Sequence, residues 1–189
     1  MSAIPSLGYA LLGLLQQKPS SGYDLRKIFS STSMRTYSDS PGAIYPALNR
    51  LEKHGLIRGT IEEGSGLRRR QTFRLTAKGN SELKQWVTAP VTREDVLRGP
   101  ENVMLRFAFS ELVAGPAASV NLLWSLEAAL KPHIAALRSE YDALKSVAPT
   151  SGRLAFECGL RASEGLLHWT EYAIKTYELN KGHKRGARS

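Results

Sequence analysis

Hydrophobic positions along the chain follow two rhythms, a repeat of three and four that marks helices and a short alternation that marks strands. Leu7, Leu11, Leu14 and Leu15 give an apolar face to a helix over Leu7 to Gln17, closing before Lys18-Pro19. Ser21-Gly22-Tyr23-Asp24 has the spacing of a capping box, with Asp24 where Glu is commoner, and opens a second helix holding Leu25, Ile28 and Phe29. A third helix starts from Ser40 as N-cap and Pro41 at the first helical position. Ile44, Leu48 and Leu51 recur along it until Gly55 supplies a left-handed stop. The rhythm then changes. Leu56 to Glu63 and Arg68 to Leu75 read as strands around the flexible Gly64-Ser65-Gly66 turn, Phe73 and Leu75 alternating with Thr72 and Arg74. Thr76 caps a helix over Ala77 to Val87 that carries Leu83 and Trp86. This order of three helices and a two-stranded wing is that of a winged helix-turn-helix, whose third helix enters the major groove.

Helices dominate the second half. Pro90 to Thr92 reads as a linker, and Glu101 to Ser110 as a short helix with Val103, Met104, Phe107 and Phe109 as its apolar surface, broken at Ala114-Gly115-Pro116. From Ala117 to about Val147 one long helix carries Leu123, Leu126, Leu130, Ile134, Leu137, Tyr141 and Leu144 in the stepping of a coiled-coil seam. Pro132 inside it should kink the helix or end a first segment. Beyond the Ala148 to Gly152 turn, a second long helix runs from Arg153 to about Asn180, with Leu166, Trp169, Tyr172, Ala173 and Thr176 on a shared face. A hairpin of two long helices cannot bury both faces alone. The expected partner is a second copy across the seven seam residues, the competing arrangement being a closed monomeric bundle. The expected fold is therefore mainly α: a winged helix over 1–89, a helical dimerisation and effector domain over 93–180, and a basic, disordered tail over 181–189.

Charge sharpens this division. The chain of 189 residues has a formal net charge of +9. Residues 1–89 hold 13 Lys and Arg against 6 Asp and Glu, or +7; residues 90–189 hold 13 against 11, or +2, of which the tail supplies +4. The helical body without its tail is thus mildly acidic, and a polyanion belongs on the front half. There, the third helix turns Tyr45, Asn49, Arg50 and Lys53 away from its apolar face. Cations suit phosphates and the amide can read a base edge, although an ordinary surface helix shows the same polarity. Arg68, Arg69 and Arg70 cannot enter a core without a large desolvation cost, so they face solvent or an anion.

Other chemistries find little support. His54, His133, His168 and His183 show no metal-ligand spacing, and no nucleotide-binding glycine fingerprint occurs, so neither a catalytic residue, a metal nor a cofactor is expected. Cys158 and His168, ten residues apart along one helix, are separated by about 15 Å, too far for a nucleophile and its base. The single cysteine excludes an internal disulfide and reads as a small buried hydrophobe. Absence of a long apolar run and of a signal-peptide pattern points to the cytosol, with no membrane partner.

At the level of motifs, LGYALLGLLQQKPSSGYDLRKIF, SPGAIYPALNRLEKHGLIRG and RRRQTFRLTAKG follow one another over about the first 88 residues. Together they resemble the DNA-binding domain of the PadR family of bacterial transcriptional regulators. The remainder resembles the helical C-terminal domain of the longer members in length and pattern, but VLRGPENVMLRFAFS replaces their acidic, leucine-rich opening. The resemblance implies a dimer on a near-palindromic operator in double-stranded DNA, generally a repressor and in some members an activator. A protein–protein adaptor is the alternative from another class. Tyr45, Asn49 and Arg50 are then expected at the major groove, Ser40 and Gly42 at a phosphate near the helix N-terminus, and Arg68, Arg69 and Arg70 on the backbone or minor groove. Tyr23 and Tyr37 are further phosphate candidates. Trp124, Cys158, Trp169 and Tyr172 are the candidate walls of a site for a small apolar or phenolic effector.

Overall fold

A computed structural model describes residues 4–32, 34, 37, 41–62 and 70–186. The chain divides into two compact units, Met1–Val87 and Thr88–Ser189. In the first, α1 (Ser6–Gln17), α2 (Gly22–Ser31) and α3 (Pro41–Lys53) precede a hairpin of β2 (Ile57–Glu62) and β3 (Arg70–Leu75), and α4 (Ala77–Thr88) follows. Leu11, Leu12, Leu25, Phe29, Ile44, Leu48 and Ile57 are fully buried and make its centre. Each such side chain contributes about 1.5–3 kcal/mol by leaving water.

Local chemistry sets the joints of this unit. Ser21 and Asp24 complete the capping box of α2: the Asp24 N–H donates to Ser21 Oγ at 3.2 Å and the Ser21 N–H to Asp24 Oδ2 at 3.1 Å. Gly55, at φ 70°, ends α3. Its N–H reaches the Glu52 carbonyl at 2.8 Å and that of Leu56 reaches Leu51 at 2.9 Å, the two bonds of a Schellman motif. Thr76 caps α4 by accepting from the Gly79 N–H at 3.0 Å, and its hydroxyl lies 2.7 Å from the Gly55 carbonyl. The end of the wing is thereby tied to the end of α3. Tyr9 of α1 stacks on Trp86 of α4 with centroids 4.2 Å apart and donates to Glu82 at 3.0 Å. Burial, reinforced by that carboxylate, pushes the Tyr9 phenol above its ordinary range.

A third strand joins the wing. Ser20–Ser21 forms β1 and pairs antiparallel with β3, Ser20 opposite Phe73 and Ser21 opposite Thr72, so the sheet order is β1-β3-β2. Two serines carry no alternation and no β-branched bulk, which is why the pattern alone shows only the hairpin.

The second unit consists of α5 (Arg93–Arg98), α6 (Glu101–Ala114), α7 (Pro116–Leu144) and α8 (Thr150–Gly186). A capping box of Thr92 and Asp95 starts α5, inside a stretch without apolar periodicity. The positive φ of Gly99 and Gly115 separates α5, α6 and α7. Pro132 does not end α7, which runs continuously through it. Both Pro132 and Ala128, whose carbonyl loses its helical partner, are exposed, so water can satisfy that carbonyl. α8 extends to Gly186, six residues into the stretch expected as a disordered tail; residues 187–189 lie outside those described.

The seam of α7 requires a larger correction. Leu123, Leu126, Leu130 and Ile134 are buried inside their own unit, Leu137 and Tyr141 are half-buried against the same core, and only Leu144 is exposed. Val91, Val103, Leu122 and Leu160 close over the leucines, because α7 packs on α5, α6 and α8 instead of on one hairpin partner. Leu123, Leu126, Leu130 and Ile134 are therefore core of one protomer and leave no surface for a second copy, whereas Leu144 stays outside it. Arg106 of α6 is buried with them, donating from Nη2 to the Ala89 carbonyl and lying 3.8 Å from Asp95. Burial lowers its pKa, and Asp95 opposes the shift. With the Val91 N–H bonded to Ser125 Oγ at 2.9 Å, Arg106 fixes the segment after α4 onto α6 and α7.

Candidate nucleic-acid interface

α3 divides cleanly into two faces. Ile44, Ala47, Leu48 and Leu51 are buried, whereas Gly42, Tyr45, Asn49, Arg50 and Lys53 are exposed. Tyr45, Asn49 and Lys53 step by four, with Arg50 beside them, so the amide, phenol and cations share one helical surface. Ser40, Arg68 and Arg69 lie outside the described residues. Arg70 opens β3 opposite Glu62, and Tyr37 is half-buried between α2 and α3 in sequence.

The opening of α2 sits against this surface. A Cβ built on Gly22 would come within 2.6 Å of Tyr45 Cε1, so the Tyr45 ring lies directly on the Gly22 backbone. Only glycine permits that approach. Tyr23, the next residue, is 60% exposed, and the Arg26 guanidinium carbon stands 5.5 Å from its ring centroid. Of the candidate residues, Tyr23 and Tyr45 are thus brought to neighbouring positions on two helices. Arg26 was not singled out by pattern, although its i,i+3 spacing from Tyr23 is legible.

The wing is fixed to α3 from behind. Glu52 Oε1 accepts from the Gly59 N–H at 2.7 Å, and a Cβ at Gly59 would meet Glu52 and Gln71, so this face of the sheet looks onto α3. On the opposite face Arg58 and Arg74 are direct cross-strand partners, both exposed. No carboxylate pairs with either among the described residues. The strand alternation contained this pair, but register is needed to set the two arginines side by side.

The candidate effector residues of the second unit do not converge. Trp169 is half-buried, edge-on to Phe107 at 5.4 Å and packed against Leu123, Ala173 and Ile174. Trp124 and Tyr172 are exposed on separate helices, and Cys158 is exposed where a buried hydrophobe was expected. A groove of about 570 Å³ does exist in this unit, but Val91, Arg93, Ser125, Ala129, Pro132 and His133 are among its walls and none of the four is. Small side chains on α7 open it, and their lack of bulk left no aromatic signal to follow. Among the described residues no cluster of three or more His, Cys, Asp and Glu is placed to hold a metal, and no helix is long and apolar enough to cross a membrane.

Residues 11–85 match the model of the transcriptional regulator PadR-like family. The chain is 37% identical over 83 residues to the negative transcriptional regulator PadR of Bacillus subtilis (strain 168), covering 43% of this chain and 44% of that protein. To the transcriptional regulator YqjI of Escherichia coli (strain K12) it is 31% identical over 110 residues, 58% of this chain and 48% of the other. The chain thus spans about half the length of the curated relatives it matches. Among solved structures, that of Bacillus subtilis PadR in complex with operator DNA aligns at 21% identity and a TM-score of 0.41, covering 90% of this chain and 98% of that one. The PadR-like transcriptional regulator BC1756 from Bacillus cereus aligns at 23% identity and a TM-score of 0.41, covering 94% and 99%. The N-terminal unit is thus similar, over residues 11–85, to the PadR-like family of transcriptional regulators.

Proposed function

We propose that this chain is a dimeric, sequence-specific DNA-binding repressor, acting in the cytoplasm on a near-palindromic operator beside its own gene. The observation that carries the proposal is the exposed face of α3, where Tyr45, Asn49 and Arg50 stand together over a fully packed opposite face. In this reading Asn49 hydrogen-bonds a base edge and Arg50 and Tyr45 contact bases or flanking phosphates in the major groove. Ser40 and Gly42 place backbone N–H groups at a phosphate, Tyr37 and the α2 opening at Tyr23 meet the backbone, and Arg68, Arg69 and Arg70 hold the backbone or minor groove. The negative regulation named for the Bacillus subtilis relative supports the sign.

Two copies would read half-sites roughly 34 Å apart. Self-association then falls to apolar groups that the second unit leaves outside, among them Leu154, Tyr172 and Leu179 on α8. A small apolar or phenolic effector is assigned to the α7 groove rather than to the scattered Trp124, Cys158, Trp169 and Tyr172, because the groove wall includes Val91 of the segment that follows α4. A gel-shift titration over a salt series tests the core of the proposal. The wild-type chain should retard DNA from upstream of its gene with affinity falling steeply as salt rises, and Arg69→Ala should weaken binding to all sequences alike. Salt-insensitive or absent retardation overturns it.

A further inference from the structure

We propose that Arg26 is a phosphate anchor for DNA, held in its binding pose by the ring of Tyr23. The inference rests on the regulator reading above and adds a residue and a division of labour to it. The start of α2 is restrained on three sides. β1 hydrogen-bonds to β3, the Ser21–Asp24 box fixes the first turn, and Tyr45 of α3 lies on Gly22. The start of α2, which leads directly into the turn that bears Arg26, is therefore held both by the wing strand and by the candidate reading helix.

Arg26 projects from that turn as an exposed cation. Its guanidinium stands over the Tyr23 ring, with no carboxylate paired to it among the described residues; Asp24, its near neighbour, bonds the N–H and hydroxyl of Ser21. A cation–π contact at this distance uses no N–H donor of the guanidinium, so its donors stay available for the oxygens of a phosphodiester. A free arginine would lose much rotamer freedom on binding, and the ring has already restricted it. Tyr23 then acts chiefly as a positioning residue through its ring, whereas the sequence suggests a direct phosphate contact through its hydroxyl.

Fluorescence anisotropy with a random-sequence 40-base-pair duplex over a potassium chloride series tests this, because a phosphate anchor is indifferent to sequence. Arg26→Ala should lower affinity and make the slope of log affinity against log salt shallower by about 0.9, one phosphate contact. Tyr23→Phe keeps the ring and should lose less affinity than Tyr23→Leu, which removes it; in both the slope should stay, since the charge is still present. Both side chains are exposed, and thermal melts of the variants should match wild type. Arg26→Ala with unchanged affinity and slope overturns the anchor, and Tyr23→Phe as damaging as Tyr23→Leu overturns the positioning role. Failure of the wild-type chain to bind in a salt-dependent way is a different result, and it removes the regulator reading itself.

Discussion

α3 and α7 bury the same kind of face and expose different chemistries. Leu48 and Leu51 anchor the first as Leu123, Leu126 and Leu130 anchor the second. Outside, α3 presents Tyr45, Asn49, Arg50 and Lys53, whereas α7 presents Trp124, Ala128, Pro132, Ala135 and Ala136 along its middle and charges of both signs, Lys131, Arg138, Glu140 and Asp142, beside and beyond them. Donors and cations suit a polyanion, and small or apolar groups suit another helix or an apolar ligand. The buried face says that each helix belongs to a core, and only the exposed face says what that core is for.

The sharpest break in this comparison comes from equal truncations. Leu48→Ala and Leu126→Ala each remove a fully buried side chain and should each cost about 2–5 kcal/mol in denaturant unfolding. A coiled-coil seam would behave otherwise: Leu126→Ala would weaken self-association and make stability depend on protein concentration. Concentration-dependent unfolding of that variant, with the isolated protomer unaffected, would restore the seam.

Backbone contact provides the next test. A Cβ on Gly79 would stand 2.0 Å from the Leu56 carbonyl oxygen, so α4 meets the start of the wing through bare backbone. Gly79→Ala should cost about 1–3 kcal/mol by overpacking, despite the better helix propensity of alanine. A variant as stable as wild type would mean that α4 can shift away from the wing at no cost.

Gly79 also shows how far pattern reaches. Periodicity located α1 to α4 and the hairpin because each presents one continuous apolar face, and Gly55 and Thr76 marked their ends by local chemistry. On α7 the stripe of leucines looks alike whether its neighbours are three helices of one chain or a second copy, so periodicity alone does not separate core from seam. α5 escaped notice because six residues with a capping box bury no side chain completely. β1 escaped because two serines enter a sheet by backbone pairing alone. Within the candidate interface the third helix was legible from its polar face, while the Gly22–Tyr45 contact and the pairing of Arg58 with Arg74 depend on packing and register.

At the exposed face of α3 the expected effect is on recognition. Asn49→Ala should leave the melting temperature near wild type and reduce discrimination between operator and random duplex by about 1–3 kcal/mol. Loss of stability without loss of discrimination would assign Asn49 to the fold. Truncating the exposed Trp124 of α7 to serine should change neither DNA preference nor, beyond a few tenths of a kcal/mol, stability, and any effect should fall on self-association measured by sedimentation.

Alkaline pH probes the α1–α4 joint more gently. The Tyr9 phenol is raised in the folded state, so its contribution is complete below about pH 10 and is lost as pH climbs through the folded value. Tyr9→Phe cannot titrate and should flatten this part of the stability profile. An alkaline limb identical to wild type would remove Tyr9 as its source.

The smallest expected effect separates stability from binding within the wing. Arg58 and Arg74 are placed directly opposite one another on the exposed face, and like charges in that position are mutually destabilising. Arg58→Glu turns repulsion into an ion pair and should stabilise the chain by about 0.2–1 kcal/mol, an increment that shrinks at high salt. Removing two units of positive charge from a basic unit should at the same time weaken DNA binding at low salt, even with no direct contact, through the loss of long-range attraction. Equilibrium unfolding and anisotropy on the same variant therefore should move in opposite directions. Greater stability with undiminished affinity would mean that the wing's outer face lies beyond the reach of the DNA field, leaving α3, the start of α2 and the wing tip as the whole of the interface.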